Sequence, residues 1–456
     1  MTSFASKCFI ATSVLCLASS TLFADVRLPQ VLSDHMVLQR EMPVRIWGWA
    51  EPGEQVTVTI NKASKTTKTD ANSNWEVQLP AMKAGGAYTL TIEGKNKLEI
   101  TDVLIGELWF CSGQSNMALP VLKSLNHDKE IQSADHPNIR FLTTPERESQ
   151  EPATDAKVKW VTCTPKTIAY FSATAYYFAR EIQQKLNVPV GLIVSAVNGT
   201  RIEPWTPANG VESVKELVGK DKVVNGVLYN GMIHPFTKHT IRGVLWYQGE
   251  GNVGDGFLYY HRMRALINGW RKTWGQGDFP FYYVQLTPLN WGGKPKDQHA
   301  EVWEAQAEAL KISTTGMAVT NDIGNIGDAH PRNKQEVGRR LSLWALANTY
   351  AVKDIVYSGA VYKAIKIDGD KIRIVFDHVH GGLLSRNGKP LDWFTIAGID
   401  GQHVPAIADI DGDTVVVSSP DVKKPTSVRF AWHQNAQPNL MNKAGLPTSA
   451  FRTDRK

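Results

Sequence analysis

From Val26 to about Ile100, apolar and polar residues alternate in short runs, as in Val44–Arg45–Ile46–Trp47, Val56–Thr57–Val58–Thr59–Ile60 and Tyr88–Thr89–Leu90–Thr91–Ile92. Pro52–Gly53, Ala71–Asn72–Ser73–Asn74 and Gly85–Gly86 separate them. Successive side chains of a strand point to opposite faces, so short alternating runs between turn residues predict a β-sandwich over residues 25–101. After Asp102 the pattern changes. Apolar runs without alternation now appear at Leu104–Phe110, Val190–Ser195, Gly243–Tyr247, Phe281–Val284 and Met317–Thr320. Between them, Phe171, Ala175, Phe178, Ile182 and Leu186 recur every three or four residues, as do Val337, Leu341, Trp344 and Ala345. Apolar strands joined by amphipathic helices predict a parallel sheet covered on both faces, an α/β unit over residues 102–350. Alternation returns at Lys371–Phe376, Thr414–Val417 and Ser427–Trp432, with turns at Asp368–Gly369–Asp370 and Asp411–Gly412–Asp413, so residues 351–456 read as a further β-rich domain.

Residues 1–24 depart from all of this. One early charge, Lys7, precedes an apolar run from Phe9 to Leu17 and then small residues up to Ala24. That is the pattern of a secretory signal peptide, with cleavage near Ala24 and a periplasmic or extracellular destination. Nothing else in the 456 residues is apolar for long enough to span a membrane. Removing Lys7 with the leader leaves 49 basic against 44 acidic residues, scattered along the chain, which argues against a nucleic-acid partner. Cys111 and Cys163 remain, a pair that fits either a bridge or two buried thiols and no metal site. The 14 Trp admit two readings, aromatic cores of β-domains or flat faces for sugar rings.

Ligands collect beyond the carboxyl ends of the strands in an open parallel sheet. After the first strand comes Cys111–Ser112–Gly113–Gln114–Ser115–Asn116–Met117, a tight turn into a helix that would expose Ser115 with its own N–H at a helix start. After the second comes Asn198–Gly199–Thr200, where a glycine can bring its N–H against a carbonyl. After the third come Gln248–Gly249–Glu250, suited to an oxyanion donor and a substrate anchor. After the last comes Asn321–Asp322–Ile323–Gly324–Asn325–Ile326–Gly327–Asp328–Ala329–His330. A histidine base needs a carboxylate on its far nitrogen, and both Asp328 and Asp322 qualify; Asp328, two residues away, is favoured. An Asp-rich loop could instead hold Ca²⁺, but it lacks the regular ligand spacing for that, and no metal or other cofactor is expected. Ser115, His330 and an Asp would supply nucleophile, base and orienter for acyl transfer.

Gly113–Gln114–Ser115–Asn116–Met117, Trp246–Tyr247–Gln248–Gly249–Glu250 and His330–Pro331–Arg332–Asn333–Lys334–Gln335–Glu336–Val337–Gly338 resemble the sequence blocks of the sialate O-acetylesterases within the SGNH hydrolase superfamily. Leu32–Arg40, Gly48–Trp49–Ala50, Asn439–Leu440 and Gly445–Leu446–Pro447 share the resemblance, so it spans nearly the whole mature chain. It implies a flavodoxin-like hydrolase core and removal of O-acetyl groups from carbohydrates without a metal. It also implies Ser115 as nucleophile, His330 as base and Gly199 as oxyanion donor. Two departures stand out. Gln248 occupies the place of the superfamily's Asn donor, and Gly327 the place of the Asp three residues before the histidine. An acetyl esterase acting on xylan or another polysaccharide is the alternative enzyme. A catalytically silent carbohydrate-binding protein is the alternative from another class, and it would have no reason to keep Ser115 and His330.

Overall fold

A computed structural model describes residues 25–219 and 226–455; the expected leader, 1–24, lies outside them. Its centre is a mixed sheet. Six strands carry the site: β1 (Lys97–Gly113), β2 (His136–Thr143), β3 (Val190–Ala196), β4 (Gly243–Tyr247), β5 (Phe281–Val284) and β6 (Thr315–Ala318). They lie in the order β6-β5-β4-β1-β3-β2, all parallel, and Val161–Cys163 adds an antiparallel edge on β2.

The 17-residue β1 does two jobs. Its first half pairs antiparallel with Gly85–Glu93 and, through Leu104–Gly106, parallel with Val37–Gln39. Its second half pairs with β3 and β4 at the centre of the parallel sheet. The change in pattern near Asp102 is therefore a change of neighbours along one strand, and the Asp102 backbone takes φ +53° there.

From Val103 on, both faces of β1 are buried. Leu108 and Phe110 enter one core with Trp270 and Trp303, while Trp109 and Cys111 enter the other with Phe178 and Leu341. Four helices supply those partners: α2 (Ala173–Leu186) and α5 (Lys334–Trp344) on the Trp109 face, α3 (Leu258–Trp274) and α4 (Gln298–Glu308) on the Phe110 face. Ten of the 14 Trp are buried, so the tryptophan surplus serves cores rather than a sugar-binding surface. Cys111 and Cys163 are both buried free thiols, and desolvation pushes Cys163 up to about 12 and Cys111 higher.

Among the described residues the C-terminal region holds two four-stranded sheets, one from Val361–Asp368, Lys371–Asp377, Thr414–Ser418 and Ile407–Asp411, and a two-stranded pair, Leu383–Ser385 with Leu440–Asn442. That region also touches the loop after β6. The Asn321 amide donates to the Thr448 carbonyl at 2.8 Å, and the Gln437 amide to the Gly324 carbonyl at 2.9 Å. Among the described residues no helix is long and apolar enough to cross a membrane.

Candidate active site

Gly113 ends β1 with φ +138°, and a Cβ there would lie 2.2 Å from the Tyr247 carbonyl oxygen. Only glycine lets β1 and β4 approach this closely while the chain turns. Gln114 N–H then donates to the same carbonyl at 3.0 Å, and the four-residue helix α1 (Ser115–Ala118) begins. A helix this short has little dipole, so the useful group is the Ser115 N–H itself. Among the described residues nothing accepts from the N–H of Ser115 or Gly199. Gly199 follows β3 with φ +71°, and Val197 N–H ties its loop to the Gly113 carbonyl at 3.2 Å.

His330 Nε2 lies 2.8 Å from Ser115 Oγ. With the ring proton on Nδ1, the hydroxyl donates to Nε2, as a general base requires. Ser115, Gly199, Asp328 and His330 share one cleft of about 690 Å³, walled by Leu119, Leu122, Lys123 and Arg332.

The carboxylates separate clearly. Asp328 Oδ1 accepts the His330 backbone N–H at 2.8 Å and stands 3.7 Å from His330 Nδ1, too long for a hydrogen bond. Asp322 lies elsewhere: Arg340 grips it with two donors at 2.6 and 2.7 Å, both side chains being buried. It ties the loop to α5 and makes no hydrogen bond to the imidazole. The N-terminus of α5 is capped by Asn333, whose side chain accepts from Glu336 N–H.

Gln248 and Glu250, expected as oxyanion donor and substrate anchor, do not line the cleft. The Gln248 amide is fully buried and donates to the Thr200 carbonyl at 3.0 Å and to Asn252 Oδ1 at 2.8 Å. It braces the Gly199–Thr200 loop instead. Glu250 Oε1 accepts from the Asn116 amide at 2.6 Å, and burial raises its carboxyl above the ordinary range. Asn116 and Lys334 were part of the sequence blocks, yet nothing in their residue type marked them as buried partners. The Lys334 amine donates to Asn116 Oδ1 at 2.6 Å, and desolvation brings it down to about 7.

Burial, and next the Lys334 cation, hold His330 below its ordinary value of 6.5; Asp328 opposes them and Lys123 adds to them. An imidazole depressed in this way stays neutral into mildly acidic solution, and one acting as a base would lose its function only when protonated below that. The kcat/KM of an aryl acetate should therefore fall on acidification with an apparent pKa below 6.5. A limb centred at or above 7 would contradict this environment.

Residues 105–345 match the family model described as carbohydrate esterase, sialic acid-specific acetylesterase. The chain belongs to this acetylesterase family. It is a carbohydrate esterase, a hydrolase that removes O-acetyl groups from carbohydrates. The sialate O-acetylesterase of Homo sapiens is 33% identical over 390 residues, 75% of this chain and 74% of that protein. The Rattus norvegicus protein of the same name is 32% identical over 415 residues, 75% of this chain and 77% of its own. A crystal structure of a carbohydrate acetylesterase from Xanthomonas citri superposes with a TM-score of 0.89 at 37% identity, covering 94% of this acetylesterase and all of that chain.

Proposed function

We propose that this acetylesterase works through an acetyl-enzyme on Ser115, with His330 as base and Asp328 as the group that orients and charge-stabilises the imidazole. The 2.8 Å contact between Ser115 Oγ and His330 Nε2, in a cleft open to solvent, carries the reading. Oγ attacks the acetyl carbonyl while Nε2 takes its proton. The oxyanion forms against the N–H groups of Ser115 and Gly199. The imidazolium then protonates the sugar oxygen as it leaves. Water, deprotonated by His330, attacks the acetyl-serine, and acetate departs as Ser115 recovers its proton. Asp328 stands 3.7 Å from Nδ1, a contact that tightens as the imidazolium forms.

The same reading extends to the frame. With β2 as an insertion at the edge, the remaining order β3-β1-β4-β5-β6 corresponds to the 2-1-3-4-5 order of a flavodoxin-like SGNH core. Residues 25–101 and 351–456 then serve as flanking β-domains, and residues 1–24 as an export signal.

The substrate class we favour is an O-acetylated sialic acid. The mammalian relatives are named for it, and Lys123 and Arg332 place two exposed cations on the cleft wall, where a sugar carboxylate would be drawn. Acetate release from an O-acetylated sialoside, acetylated xylan and an aryl acetate tests this. The sialoside should have the highest kcat/KM of the two carbohydrates, and Lys123→Ala with Arg332→Ala should raise its KM about tenfold relative to the aryl acetate's. Faster turnover of xylan would move the substrate to neutral polysaccharides. Activity should persist in chelator; loss that a divalent ion restores would overturn the metal-free steps.

A further inference from the structure

Beneath the cleft floor sits a cation that the acyl-transfer steps do not use. Lys334 opens α5 and is fully buried. A buried ammonium is costly unless other groups hold it. Its Nζ donates to Asn116 Oδ1 at 2.6 Å and lies 4.7 Å from the Tyr247 ring centroid. The two N–H groups of that amide are also engaged, one by Glu250 Oε1 at 2.6 Å and the other by the Ala329 carbonyl at 2.8 Å. An amide has one accepting end and one donating end, so a lysine on one side and two acceptors on the other leave it a single orientation. Asn116 directly follows Ser115, and Ala329 directly precedes His330. The amide thus joins the two loops whose side chains must meet.

We propose that Lys334 and Asn116 are positioning residues: the buried ammonium locks the Asn116 amide, which holds the Ala329 carbonyl and so keeps the His330 ring in line with the Ser115 hydroxyl. This rests on Ser115 and His330 being nucleophile and base. The charged groups around the ring are Lys334 from α5, Asp328 and Arg332 from its own loop, and Lys123 from the segment after α1, with Glu250 behind Asn116. Neutralising Lys334 removes one of the cations that disfavour the imidazolium, so the acid limb of the rate profile should rise with the loss of alignment.

The test uses aryl acetate hydrolysis by the full-length protein. Lys334→Met should lower kcat by about 10- to 100-fold, the scale of a small misplacement, with KM within about threefold and the acid limb shifted upward. A purely structural ion pair would behave differently in the double variant Lys334→Met/Glu250→Gln, which leaves no orphaned carboxylate. Positioning predicts that thermal stability recovers in the double variant while kcat stays low and the limb stays raised. Recovery of kcat together with stability overturns the proposal, as does a Lys334→Met protein with unchanged kcat and limb. If neither lysine variant folds, Asn116→Ala decides, because it keeps both charges and cuts the link to Ala329. A kcat at least tenfold lower at similar KM supports the proposal, and wild-type turnover overturns it. Ser115→Ala is measured alongside. An active Ser115→Ala would mean that the nucleophile assignment has failed, whereas an inactive one beside normal Lys334 and Asn116 variants fails this inference alone.

Discussion

Ser115→Ala should give a folded protein whose esterase turnover is lower by about three orders of magnitude or more, the scale of removing a nucleophile from a Ser-His-acid site. In the proposed mechanism Oγ is the atom that carries the acetyl group, and among the described residues lining the cleft no other carries a hydroxyl. Ser112, three residues earlier, is fully enclosed in β1 and does not reach the cleft. The side chain lost is small, its Oγ bonds only to His330 among the described residues, and the one-turn helix keeps its backbone contacts, so the melting temperature should barely move. Acetate release and a thermal melt on the same preparation check both halves. Turnover within tenfold of the wild type would move the nucleophile elsewhere.

The second large effect separates the two aspartates. Asp322→Asn should lower stability by about 3 kcal/mol, because it removes a carboxylate from a buried, doubly bonded guanidinium. The figure sits at the low end of the usual cost because Glu336 still contacts Arg340 at 2.8 Å. The folded fraction should turn over at close to the normal rate. Asp328→Asn should do the reverse: little change in stability, since its side chain is 47% exposed, and a fall in kcat of about 10- to 100-fold. That is less than a fully buried orienting acid would show, since Asp328 is solvated and 3.7 Å from the ring. Denaturant titration and saturating aryl acetate kinetics on both variants decide the matter. A stable, inactive Asp322→Asn beside a normal Asp328→Asn would reverse the assignment.

How far the sequence could be read depended on what lies under each residue. The runs Gly243–Tyr247 and Phe281–Val284 coincide with β4 and β5 end to end, because strands buried on both faces are apolar throughout. The strand before the His330 loop begins two residues earlier than its apolar run, at Thr315. Gly316 reads as a breaker, yet it lies in β6 because the Trp344 indole packs where its Cβ would be, 2.5 Å away. β2 has no apolar signature, since Pro137 and Arg140 interrupt it; Asp102, which accepts from Arg140 at 2.6 Å, makes that charge tolerable inside. The turn bearing Ser115 and the loop bearing His330 were legible because strand ends point at the site. Gln248 and Glu250 were not, because Gly249, at φ +156°, sends the chain into a short helix that directs both side chains inward. Lys334 was invisible for a general reason: a lysine at the start of a helix normally faces water.

The unbroken run from Lys97 to Gly113 bears on how the molecule can be cut. A fragment starting at residue 102 would keep the Ser115 turn and lose both neighbours of Val103–Gly106, the segments Val37–Gln39 and Gly85–Glu93. Bare backbone amides and carbonyls on an apolar strand recruit other chains, so such a truncation would aggregate. The productive place to divide or fuse this protein is ahead of Val26, where no strand of the sheet is severed.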